Sequence, residues 1–591
     1  MKYLSMLENY INDKAIMQKI IAIRCKYAES VYKFESTDQM AHHSDRKYTL
    51  STEQKFFYSL FPSRKEWAHL NYEKRKNLNQ VARNRLMLWY TVLREQKKQS
   101  NHSEWYIRLI TYVAHIKRMA LSPDYSFHKP IVVLLEKKRE GNAIECRPVC
   151  KFSKDDKIIA SLVNRALTHL FDGFFYQYSY AFRAVTTRTE RENLAHLEAV
   201  KEIKEFRKNH AEILHVAECD MKKFYDTIDH DIIKQRFCQL LRKCKCSNLI
   251  GWKEFRLLKN VMYSYIDCFN FYQDIYCLNN KPDYPAWQKI KAVNGEKKKI
   301  GWIIDDLKTK DWKYRTRKHY QQFLGVPQGG ALSGLIANIV MHFTDLHLKE
   351  YWHGNVEFRY IRFCDDMIMV GSDSRQVREA FEAYLESVKN SHLFCHPLEC
   401  LPEKKMKDFW KGKSRGPYAW GNAGKHIFPW ITFVGYDINW EGDTRIRKAS
   451  LKKEIVKQYK KVEEIRTLFS TKKKRVRKPK WYWGYICTSV ERKMIGMSVG
   501  RVPLWDYKNH DNKYSWTSAF TQLTDNKWSV KQLKHLDWHR QKMLGKLFVF
   551  LIKKVEFDKI HSQQNKQKKL TVNFYGKPYS YYGQCLKKWD T

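Results

Sequence analysis

The stretch VEFRYIRF (356–363), then Cys364, Asp365 and Asp366, then MIMVG (367–371) leaves the chain little freedom. Each flanking run is short, apolar and rich in aromatic or β-branched residues, so each reads as a strand. Three intervening residues suffice only for a tight reversal, which predicts an antiparallel hairpin with two carboxylates at its tip. Adjacent anions repel, and the cost persists unless a cation lies between or beside them. Alone, the pair is also what an exposed turn commonly carries.

A second carboxylate occupies a comparable place. In AEILHVAECDMKKFYDTIDHDIIKQRF (211–237) a β-type run from Ile213 to Cys219 precedes a helix whose predicted N-cap is Asp229. Asp220 therefore stands where strand gives way to turn, and a sheet end holds such a side chain rigidly enough for metal binding. By itself it is also a common turn residue. Between the two carboxylate sites lies FLGVPQGGALSGLIANIVMHFTDLHL (323–348). Gly325, Pro327, Gly329 and Gly330 predict a turn in which backbone approaches a ligand, and a helix is expected from about Ser333.

Strand with Asp, GVPQGG loop with helix, and FCDD hairpin, in that order, resemble the palm of a reverse transcriptase. The likeness implies an α+β right-hand polymerase of fingers, palm and thumb. It makes Asp220, Asp365 and Asp366 the catalytic residues. With Met221 they form the metal site for two Mg²⁺ ions, or Mn²⁺ in their place, one activating the primer 3′-hydroxyl and one gripping the incoming triphosphate. LEKKREGNAIECRPV is similar to the fingers segment that binds triphosphate, implicating Arg147 and either Lys137 or Lys138. Tyr225, five residues after Asp220, matches the aromatic wall that excludes a 2′-hydroxyl, which implies dNTP substrates. Gln328 and Gly329 join the dNTP site, as does Lys404 in LPEKKMK, which resembles the palm turn whose lysine assists pyrophosphate departure. Ser179, Phe182 and Arg183 match the next fingers segment, and FVGYDINWEGDTRIRKAS resembles the primer grip; template and primer contacts thus fall to Arg183, Gly325, Pro327 and Gly435.

Composition agrees with such partners. Lysine plus arginine number 109 against 63 acidic residues, a formal charge of +46 whose self-repulsion calls for a polyanion. Aromatics beside basic residues, as in KWYWGY (480–485) and KLFVFLIKK (546–554), suit stacking combined with phosphate contact. No secretory signal pattern and no apolar run near the roughly 18 residues of a membrane span are visible, so a soluble, cytoplasmic protein without membrane contact is expected. The 14 cysteines lack a framework spacing and read as reduced thiols. His392, Cys395, His396 and Cys400 are metal-ligand types, but Pro397 interrupts them and no second pair accompanies them.

The expected organisation is a helical extension over 1–120, with Leu86, Leu88, Tyr90 and Leu93 at helical spacing, and fingers and palm over 121–450 with an insertion at about 240–320. A thumb helix and basic linker follow over 451–480, then a mainly helical nucleic-acid-binding or assembly region over 481–591. Ile455, Tyr459, Val462 and Ile465 mark the buried face of the thumb helix, and Trp516, Trp528 and Trp538 are expected anchors. Group II intron and retron enzymes usually show alanine where Cys364 stands and serine-proline where this chain has Ser333-Gly334. The atypical FCDD, the helical extensions and the lack of a mobility-nuclease signature resemble bacterial unknown-group and abortive-infection reverse transcriptases. That likeness implies antiphage defence, a structured non-coding RNA as template or scaffold, a DNA product that is repetitive or untemplated, and a homo-oligomer or companion defence protein. The alternatives are a mobile-element or intron-maturase enzyme and a catalytically silent RNA-binding scaffold.

Overall fold

A computed structural model describes residues 6–41, 48–75, 78, 80–184, 195–210, 212–292, 295–301, 323–400, 409–422, 424, 426–470, 486–487, 489–491, 493–494, 516–560 and 579. The segments KKKRVRKPK (472–480), KWYWGY and LPEKKMK, with Lys404, lie outside these residues.

The central sheet runs in the order β5 (Phe358–Phe363), β6 (Asp366–Gly371), β3 (Leu214–Asp220), β8 (Ser414–Trp420), β7 (Leu398–Glu399), with β9 (Ile427–Phe428) also on β8. Along β5, β6, β3 and β8 each strand is antiparallel to its neighbour. Strand alternation sends Met367 and Met369 of β6 into one core and Ile368 and Val370 into another. β6 reads as an unbroken apolar run because both of its faces are covered. The same alternation divides β3, with Ala217 and Cys219 in the first core and Leu214 and Val216 in the second.

The first core extends well beyond the sheet. Helix α1 (Lys154–Asp172), N-capped by Ser153, buries Ile158, Ile159, Leu162, Val163 and Phe171. These pack into a continuous cluster with Ile16 and Ile20 of helix Asp13–Ala41, Leu88 of helix Gln80–Gln96, Ile116 of helix Glu104–Ala120, and Leu335 and Ile336 of helix α2 (Ser333–His347). The helical N-terminal region is therefore part of the same hydrophobic core as the sheet.

β1 (Ile131–Glu140) and β2 (Ala143–Lys151) form a long hairpin that turns at Gly141, where φ is +51°. The expected insertion contributes to it: β4 (Lys297–Ile300) adds to β2 in parallel. A meander of β10 (Trp430–Phe433), β11 (Tyr436–Asn439) and β12 (Thr444–Ile446) leads into helix α3 (Lys448–Ser470), against which the 34-residue α4 (Lys527–Ile560) packs. Gln532 of α4 satisfies β12 at both backbone groups, accepting from Ile446 N at 2.9 Å and donating to Ile446 O at 2.8 Å.

Three expectations need correction. Tyr459 is 45% exposed, because the inward face of α3 between Leu451 and Val462 is filled by Glu454 and Gln458. Both polar groups are bonded to Tyr579 Oη, at 2.7 and 3.3 Å, which lets them stay buried. Trp538 is 53% exposed and anchors nothing, whereas Trp516 and Trp528 pack against Phe520 and Trp430. Asp366 belongs to β6 and not to the turn. Every described cysteine is free, and no helix among the described residues is long and apolar enough to cross a membrane.

Candidate active site

Asp220 closes β3, Asp366 opens β6, and the antiparallel register makes them direct cross-strand partners. Phe363 stands opposite Asp366 on the other side, so Cys364 and Asp365 form the turn. Cys364 takes a φ of +63°, a left-handed conformation that costs a residue with a Cβ about 1 kcal/mol. A buried guanidinium offsets this: Arg362 Nη1 donates to Cys364 O at 3.0 Å. Arg362 is itself fixed by Asp345 through Nε at 2.9 Å and Nη2 at 2.7 Å, and Tyr360 Oη donates to Asp345 Oδ1 at 2.8 Å.

The register of β8 on β3 pairs Glu218 with Arg415, so its continuation sets Lys413 opposite Asp220. Lys413 Nζ donates to Asp220 Oδ2 at 2.8 Å and lies 3.1 Å from His396 Nε2. His396 N donates to Asp220 O at 3.0 Å. Burial, then the Lys413 charge, pushes the His396 imidazole down to about 4, so it is neutral near pH 7. Burial also pushes Asp366 up to about 7, with Asp220 and Asp365 adding to the rise and Arg447 and Lys413 opposing it. Asp365 moves up for the same leading reason. Met221 follows Asp220 directly, its side chain buried and its backbone bridged to Cys395.

Among the described residues no group of three or more His, Cys, Asp and Glu side chains is disposed as a finished metal shell. The donor set nevertheless fits hard divalent cations: carboxylates at one sheet end, two of them driven toward the neutral form by burial and mutual repulsion. The possible zinc ligands go to separate partners. His392 Nδ1 lies 3.0 Å from Asp229 Oδ2, His396 bonds the Asp220 segment, Cys395 meets Cys219, and Cys400 sits against Gly416.

The GVPQGG loop ties this sheet end to the β1–β2 hairpin. Val326 N donates to Tyr225 O at 2.8 Å, and Cys150 N of β2 donates to Gln328 O at 2.9 Å. Gln328 Nε2 donates to Asp226 Oδ1 at 2.6 Å. Gly329 has a φ of +94°, and a Cβ on Gly330 would stand 1.8 Å from Tyr265 Oη, so neither position admits a side chain without rearrangement. Gly325, at φ +83°, is pressed against Asp226 O and Phe271, and Pro327 O accepts from Ser333 Oγ at 2.8 Å. Tyr225 Oη contacts Cys364 Sγ at 3.1 Å. Burial pushes Asp226 up to about 6, opposed by the Lys223 charge, the Gln328 hydrogen bond and the charges of Lys137 and Arg147. Lys137 pairs with Glu145 at 2.8 Å, while Lys138 turns to Glu140.

Two other residues have distinct placements. Arg183 is directed inward, with Nε 2.6 Å from Asp172 and further bonds to the Tyr176 and Ser179 carbonyls, so its guanidinium braces the end of α1. Gly435, at φ +98° in the β10–β11 turn, accepts from Arg447 N at 2.9 Å and so fixes the arginine whose charge reaches Asp366.

Residues 241–400 match the reverse transcriptase (RNA-dependent DNA polymerase) family, a span that holds the GVPQGG loop and the FCDD hairpin. The chain carries a reverse transcriptase domain. Asp220 and Tyr225 lie before the matched span and join it, Asp220 through the β3–β6 pairing and Tyr225 through its contacts with Val326 N and Cys364 Sγ. Among solved structures, apo telomerase from Candida tropicalis aligns at 12% identity over 86% of this chain and 85% of that one, with a TM-score of 0.35. A C-terminally truncated telomerase from the same organism aligns at 16% identity, TM-score 0.33, over 54% of this chain; the alignment spans only 55% of that chain. Telomerase from Candida albicans with a fragment of telomeric RNA gives 12%, 78%, 67% and 0.30 for the same four measures of identity, coverage of each chain and TM-score. TM-scores this low carry no functional inference. No curated protein sequence matches the chain.

Sequence reasoning missed Lys413, Lys223 and Arg447, and it read His396 only among metal-ligand types, not as a neighbour of Asp220. β8 pairs with β3 from almost 200 residues away, and no local pattern in KGKSRGPYAW announces that Lys413 faces an aspartate.

Proposed function

We propose that the protein is an RNA-directed DNA polymerase that joins dNTPs on an RNA template. The observation that carries this reading is the cross-strand pairing of Asp220 with Asp366 beside the Asp365 turn. Asp220, Met221, Asp365 and Asp366 would hold two Mg²⁺ ions, or Mn²⁺, which when bound supply Lewis acidity to the primer hydroxyl and neutralise triphosphate charge. Lys137 and Arg147 on the hairpin bring positive charge to the triphosphate side. Tyr225 blocks a 2′-hydroxyl, Gln328 and Gly329 form the floor of the nucleotide site, and the Gly435 turn steadies the primer side. Lys413, whose Nζ donates to Asp220 Oδ2, would be available to the departing pyrophosphate when that carboxylate holds a metal ion. Lys404 remains a second lysine for the same step.

The FCDD variation and the helical regions at both ends support a role in bacterial antiphage defence in the cytoplasm, with a structured non-coding RNA as partner. The test is dNTP incorporation by the purified protein with co-purifying RNA and Mg²⁺, compared with Asp365→Ala plus Asp366→Ala. Incorporation should fall at least about 1,000-fold, as loss of charge stabilisation at the reacting centre implies. Unchanged incorporation would sink the assignment.

A further inference from the structure

Helix α4 divides along its length. Ser529, Leu533, Leu536, Arg540, Leu544, Leu547 and Leu551 are buried on one face. Trp528, Lys531, His535, Trp538, Lys542 and Lys546 fall on the opposite face by helical geometry. There an open cavity of about 620 Å³ is walled by Trp528, Lys531, His535 and Trp538 together with Arg445 of β12 and Leu451 of α3. Trp538 is 53% exposed. His535 stacks on it at 5.7 Å between ring centroids, and Lys542 lies 4.8 Å over the ring. Arg445 covers Trp430 at 3.9 Å, and Trp430 meets Trp528 edge-on. Among the described residues no ion pair engages Lys531, Lys534 or Lys542.

An exposed apolar wall alone would fit many partners, but this one alternates aromatic planes with uncompensated cations. That chemistry selects a partner that is flat and apolar at each repeat and anionic between repeats. We propose that this face of α4 binds an unpaired polynucleotide strand, its bases stacked on Trp538 and in the Trp528 cavity and its phosphates met by Lys531, Lys534 and Lys542. Ten residues of helix separate the two tryptophans by about 15 Å, room for roughly four stacked nucleotides. Arg447 follows the end of β12 two residues after Arg445, about 7 Å along the chain. The binding does not depend on the polymerase reading, because it needs no chemistry at Asp220, Asp365 or Asp366.

The test uses the full chain in the Asp365→Ala plus Asp366→Ala background, so that nothing is extended. Fluorescence anisotropy would follow oligouridylate, oligothymidylate and a blunt duplex, each about 20 nucleotides long, across a salt series. Trp538→Ala should weaken both single strands roughly 5- to 100-fold at unchanged salt slope, the loss of about one stacked base. Trp538→Phe should keep binding within about threefold of the parent and so separates stacking from misfolding. Lys531→Gln plus Lys534→Gln should lower the slope of log K against log salt by roughly 0.7 per lysine. Three outcomes would each overturn the proposal: Trp538→Ala within about twofold of the parent on both single strands, an equal loss on duplex, or a changed sedimentation coefficient with unchanged affinity. The last would make the face an interface with a second copy of this chain.

Discussion

Cys364 is the residue whose identity the hairpin motif leaves unexplained, and its surroundings supply a reason. Its thiol reaches Tyr225 Oη at 3.1 Å, and burial first, then contact with Asp365, keeps that thiol protonated, at about 12. The turn residue thus holds the Tyr225 ring in place by a contact alanine cannot make. One such bond contributes about 0.5–1.5 kcal/mol. Cys364→Ala should therefore reduce discrimination between dNTP and rNTP, taken as the ratio of kcat/KM values, by roughly 2- to 10-fold. Tyr225→Phe should reproduce that loss, because it removes the other partner. Discrimination unchanged in both variants would leave the contact without a role. Gly334 shows the same dependence on a distant neighbour: a Cβ there would stand 2.5 Å from the Phe182 ring, which accounts for the absence of a bulkier residue after Ser333.

Among the elements, β5 and α2 form the support of the Cys364–Asp365 turn. Arg362 and Asp345 are fully buried and paired, and the pair is linked to Cys364 O, Tyr360 Oη and Asn338 Oδ1. Breaking a buried pair by removing one partner costs about 3–5 kcal/mol, whereas replacing both with apolar groups is often neutral. Asp345→Asn should lower unfolding stability in denaturant by an amount in that range. Arg362→Met plus Asp345→Leu should recover most of it and still show a reduced kcat, because Cys364 O has lost its donor. A double variant with wild-type kcat would show that the pair serves stability alone. The element types around this turn were legible in sequence: short apolar runs before and after Cys364, a helix at Ser333, a cap at Asp229 that accepts from Asp231 N at 2.9 Å. The face of α3 was not, because apolar spacing cannot foresee that Glu454 and Gln458 would find Tyr579 more than 120 residues away.

For the whole molecule, the boundary expected near residue 120 does not coincide with a break in the core. Ile16, Ile20, Leu109 and Ile116 pack in one cluster with Ile158, Leu162, Leu335 and Met369. Removing residues 1–120 should therefore abolish cooperative unfolding and the near-ultraviolet dichroism of the remainder, not simply trim an appendage, since it strips one side of that core. A truncated protein with a sharp transition of its own would contradict this. The sequence by itself determined the local elements and the chemical types at their ends, because strand and helix periodicity and turn stereochemistry are properties of a few neighbouring residues. It thereby placed Asp220, Asp365, Asp366 and the GVPQGG loop at element boundaries. Only the tertiary structure decided which strands became neighbours. It brought Lys413 onto Asp220 and Cys364 onto Tyr225, turned Arg183 inward to Asp172, and left Trp538 in the open. Those outcomes depend on register and packing between segments remote in the chain, which no local pattern encodes.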